Sequence, residues 1–157
     1  MRSSPTRASA ACVFLLFTAL SCASSFQLSN DEQASLDLAM GTSLSFIVPR
    51  DAAIQSWDRA QEFVNRYSSM TLRSTTESTV VSYETPVYQS VPSPVESGSS
   101  IRYGYSVSRS SVQEGIQYTV KCTPSSTLGD KSADQNAHIA AYYIMTGRVA
   151  CDRCIVR

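Results

Sequence analysis

Apolar and polar positions alternate with period two over two neighbouring stretches. Ile101, Tyr103, Tyr105 and Val107 are separated by Arg102, Gly104 and Ser106; Ile116, Tyr118, Val120 and Cys122 are separated by Gln117, Thr119 and Lys121. Successive strand side chains point to opposite faces, so two such runs joined through Glu114-Gly115 predict an antiparallel hairpin with one aromatic-rich face. A shorter alternation of Leu44, Phe46 and Val48 predicts a strand ended by Pro49. Between residues 51 and 68 the period lengthens. Ile54, Trp57, Ala60, Val64 and Tyr67, widened by Phe63, form a helical stripe, with Gln55, Asp58, Arg59, Glu62 and Arg66 on the wet side. A second helix follows from Ala133, Ala137, Ala140, Ala141 and Ile144, with Ser132 and Gln135 as a capping box and Gly147 as its stop.

Residues 70–85 are β-branched and Ser-rich, which predicts a strand whose register the adjacent Val80 and Val81 leave open. Pro86, Pro92, Pro94 and Gly98 mark 86–100 as a long loop. The pattern therefore predicts an α+β domain over residues 42–147: a two-layer fold with an antiparallel sheet of about four strands and two helices on one face, in the order β-α-β-β-β-α. Residues 22–41 read as a flexible, Ser-rich tether, in which Asn30 with Gln33 would cap a short helix edged by Leu36 and Met40. A tail at 148–157 carries Cys151 and Cys154.

Composition narrows the functional classes. Thirteen Lys and Arg balance thirteen Asp and Glu in 157 residues, and 17% of the chain is charged, which argues against a basic nucleic-acid binder and an acidic tail protein. Hydrophobic residues reach 43%, enough for a core.

The first residues change the picture most. Arg2 and Arg7 precede a stretch from Ala10 to Leu20 that is apolar except for Thr18, and small residues follow. That order predicts an export signal over residues 1–21; eleven helical residues span only about 16 Å, too short to cross a bilayer. Ser21-Cys22-Ala23 offers an ordinary cleavage site before Ser24. Ala19-Leu20-Ser21-Cys22 also resembles the lipobox of bacterial lipoproteins, with Ala19 where such boxes usually carry Leu. In leader and size the chain resembles the small bacterial envelope lipoproteins and secreted proteins. That resemblance implies lipidation of Cys22 and a periplasmic or outer-membrane location, or release as a secreted protein, and it implies no activity.

After processing, Cys122, Cys151 and Cys154 remain, and exported cysteines tend to pair. If the last helix packs back along the hairpin strand, seven extended residues after Gly147 reach about 23 Å, enough to return Cys154 to Cys122. A Cys122–Cys154 disulfide is therefore expected. The competing arrangement is a redox pair in Cys151-Asp152-Arg153-Cys154, although the N-terminal helix position that activates such thiols is missing. A Cys₃His metal set with His138 has one short spacing where structural zinc uses two.

Ser-His-Asp chemistry would have to use the sole histidine, His138, and no glycine-rich phosphate loop is present. The expectation is a non-enzymatic binding or structural domain with no cofactor, no metal and no nucleic-acid partner. It would meet an envelope protein or surface component through the 86–100 loop or an open sheet edge, with a membrane tether at Cys22. The alternative is an envelope thiol-redox protein using Cys151 and Cys154.

Overall fold

The computed structural model describes residues 27–82 and 101–157. The leader, Cys22 and the 86–100 loop lie outside the described residues.

Among the described residues, three α-helices, α1 (Asn30–Met40), α2 (Ala53–Tyr67) and α3 (Asp130–Thr146), accompany five strands: β1 (Ser45–Val48), β2 (Leu72–Thr75), β3 (Thr79–Ser82), β4 (Tyr103–Val112) and β5 (Gly115–Pro124). The strands form one antiparallel sheet in the order β1-β5-β4-β3-β2. The expected α+β class, antiparallel sheet and helix-covered face are present. The fifth strand arises because residues 70–85 do not form one run. Thr76 interrupts it, accepting from the backbone N–H of Ser78 and Thr79 through its hydroxyl and donating its own N–H to Thr79 O at 2.8 Å. A hydroxyl that closes its own turn splits the stretch into β2 and β3.

The hairpin is longer than the alternation indicated. Val112 faces Gly115 across a two-residue turn, and Tyr105 pairs with Cys122, Val107 with Val120 and Arg109 with Tyr118 on the helix-facing side. Polar Ser110 and Ser111 end the visible apolar pattern but still pair in the ladder, because backbone groups make the ladder and side chains set only its faces.

Helix α2 buries Ala53, Ser56, Trp57, Ala60, Phe63, Val64 and Tyr67. Ile54, placed in the stripe from sequence, is 76% exposed; the buried row starts one residue earlier, at Ala53. Phe63 meets Tyr105 edge-on at 5.4 Å and Phe46 stacks on Tyr118 at 5.6 Å, joining α2 and β1 to the hairpin. Removing a fully buried Phe of this kind typically costs about 3–5 kcal/mol.

The Ala stripe of α3 is buried as expected, and Gly147 ends the helix at φ 74°, a left-handed conformation that glycine adopts without a Cβ penalty. Ser132 and Gln135 form no capping box: Gly129 occupies the cap position without a side-chain bond, and Gln135 is used elsewhere. Helix α1 lies inside the stretch read as a tether and packs on α3, with Ala39 fully buried. Its cap is Ser29 with Glu32, one residue ahead of the expected Asn30 and Gln33. Among the described residues no helix is long and apolar enough to cross a membrane.

Candidate functional site

Cys122, Cys151 and Cys154 lie where α3, β5 and the C-terminal tail meet. Cys151 is bonded to Cys154, with their Cα atoms 5.2 Å apart, and Cys122 is a free thiol. The expected Cys122–Cys154 disulfide is therefore replaced by a local one. Only an extended tail would span the distance from Gly147 to Cys122. Instead the chain folds into a 3₁₀ turn over Asp152–Cys154, and Cys154 N–H donates to Cys151 O at 3.2 Å. The tail does return along α3 toward Cys122, but later. Asn136 donates to Val156 O at 2.8 Å and accepts from Val156 N–H at 3.1 Å, an amide serving as a strand partner for the last residues.

Both residues between the bonded cysteines are committed to other elements. Asp152 Oδ1 accepts a 2.6 Å bond from the Tyr67 hydroxyl at the end of α2. Arg153 grips Glu32 of α1 through two nitrogens, Nε to Oε1 at 2.9 Å and Nη2 to Oε2, and also donates from Nη2 to Gln27 O at 3.4 Å. Gln135 of α3 donates to Cys154 O at 2.9 Å. A four-residue disulfide loop thus touches all three helices. The charges on Asp152 and Arg153 were the available sequence signal, but a charge shows no partner until the fold supplies one.

The electrostatics follow from these contacts. The Arg153 bonds, followed by those from Ser29, hold the Glu32 carboxyl down from its ordinary value to about 2. Burial and then the Asp152 bond push the Tyr67 hydroxyl up to about 12. Burial pushes the Cys122 thiol up to about 12 as well, outweighing the Tyr105 and Asn136 side chains beside it. The Tyr105 hydroxyl is raised, first by burial and then by the neighbouring Cys122; among the described residues it has no conventional hydrogen-bond partner.

Thiol chemistry needs an accessible thiolate. Cys151 and Cys154 are 3% and 7% exposed and bonded to each other, while Cys122 keeps its proton at neutral pH. His138 is not assembled with them into a ligand set, since its Nδ1–H donates to Thr42 O at 2.7 Å. The arrangement is a clasp built from a disulfide. No family model matches the chain, and no curated protein or solved structure shows a significant likeness to it.

Proposed function

We propose that the chain is an exported, envelope-associated domain that acts by binding or structural support and catalyses no reaction. The observation that carries this reading is the buried Cys151–Cys154 disulfide behind a leader of export type. Disulfides persist in oxidising compartments, and this one is used to hold helices together. Its partner would be an envelope protein or a surface component, not a nucleic acid. The edge strand β2 suits such a contact, since its four residues are all exposed and, among the described residues, no strand pairs with its outer edge. Lipidation at Cys22 would tether the domain; cleavage before Ser24 would release it. The redox alternative draws no support from a pair so enclosed.

The test is the intact mass of the protein from membrane and soluble fractions of its own cells, unfolded and alkylated before reduction. A start at Cys22 with acyl groups, or at Ser24 without them, together with one alkylated thiol, supports the reading. An uncleaved leader or three alkylated thiols contradicts it.

A further inference from the structure

A cleft of about 430 Å³ opens at the far end of the sheet from the cysteines, between the N-terminus of α2, the turn before β3 and the outer part of the hairpin. Arg109 lines it. Its guanidinium lies over the Trp57 ring, 4.3 Å from the centroid, and its Nε donates to Glu77 O at 2.7 Å. Tyr118, its cross-strand partner, donates its own hydroxyl to Ala53 O at 2.9 Å and so is free to accept from the guanidinium. Among the described residues, that leaves further guanidinium N–H groups unspent, and no carboxylate pairs with Arg109. A half-buried cation fixed on an aromatic ring, with donors to spare and hydroxyls around it, is the arrangement that receives a carboxylate.

We propose that this cleft binds a small monocarboxylate, with its carboxylate on Arg109 and the hydroxyls of Ser78 and Ser111, and its short apolar tail against Ala53 and Ile116. The choice of charge follows from the surroundings. One guanidinium matches a single negative charge, and Glu77, which also lines the cleft, with Asp58, which acts on Tyr118 from α2, disfavours the second charge of a phosphate. The volume lies within the range of small-ligand sites. This site does not depend on export or lipidation, so it can fail without affecting that reading.

The chain has one tryptophan, so the Trp57 indole N–H gives a single unambiguous resonance beside the site. The experiment titrates sodium butyrate into the nitrogen-15-labelled, disulfide-intact protein at constant ionic strength held with sodium chloride. The expected result is a saturable shift of that resonance, with butyramide binding at least about tenfold more weakly because it lacks the charge. Arg109→Gln is expected to weaken butyrate by a similar factor. If Arg109→Gln does not fold, Arg109→Lys replaces it, keeping the charge but losing the fork, and several-fold weaker binding is expected. A shift that does not saturate, equal binding of butyramide, or unchanged affinity in the substituted protein overturns the proposal.

Discussion

The Tyr67 hydroxyl donates a 2.6 Å hydrogen bond to Asp152, a residue held between two bonded cysteines. The ring that carries the hydroxyl is 1% exposed and has Arg157 over it, 5.1 Å from the centroid. The end of α2 is therefore fastened to the tail by a hydrogen bond whose acceptor is fixed by the disulfide. Tyr67→Phe keeps the ring packing and removes the hydroxyl, so a loss of about 1 kcal/mol is expected in urea unfolding. No change in stability would mean that Asp152 is satisfied equally well by water.

Replacing Cys151 and Cys154 with Ser removes the loop constraint and places two hydroxyls in buried positions. For a loop this short the chain-entropy contribution is about 2 kcal/mol, with the buried hydroxyls adding to the loss. The double variant is expected to remain folded at neutral pH with a lower urea midpoint. Stability equal to that of the unchanged protein would show that the bond does not constrain the fold.

Acid acts on the other side of the clasp. Glu32 is held at about 2 in the folded chain, below its ordinary 4.5, so its contribution is present above that ordinary value and is lost as pH falls toward 2. Amides of α1 are expected to lose exchange protection over that window before those of β4 and β5. Glu32→Gln should remove the acid dependence of α1. If α1 and the sheet respond together in both proteins, the ion pair does not govern docking.

Alkali reports on the thiol. Cys122 is raised from 9.0 to about 12, so its contribution to stability is complete below pH 9 and disappears as pH rises to about 12. Tyr67, raised from 10.0 to about 12, adds a loss over the upper part of the same window. A shift of this size leaves about a thousandfold less thiolate at neutral pH than in the unfolded chain. Iodoacetamide is expected to label Cys122 far more slowly in the native protein than in urea, and Cys122→Ala should flatten the alkaline fall in stability. Comparable labelling rates in both states would show an accessible, ionised thiol.

The elements legible in the sequence were those whose periodicity reflects burial. The Ala stripe of α3, the Trp57-to-Tyr67 row of α2 and the alternation around Tyr105 and Tyr118 each point to a face that must be covered, and each is covered. Where side chains make backbone bonds, periodicity is silent. Thr76 divides the strand region, and Ser29 caps α1 in place of Asn30. Gln135 was legible as a polar residue near a helix start; its bond to Cys154 O depends on a tail whose path no local pattern records. The cysteine pairing failed for the same reason. Extended reach gave an upper limit on distance, whereas Tyr67, Glu32, Gln135 and Asn136 together dictate a folded tail. Arg109 was hidden at the end of the alternation, where an Arg on the inner face reads as a strand terminus until Trp57 is seen beneath it.

The most direct test of the clasp is hydrogen exchange followed by mass spectrometry on the protein before and after reduction of its disulfide under native conditions. Loss of protection concentrated in α1, the end of α2 and residues 151–156, with β4 and β5 unchanged, is the expected result. Unchanged protection in α1 after confirmed reduction would contradict the account and leave Cys151–Cys154 as a bond that holds only itself.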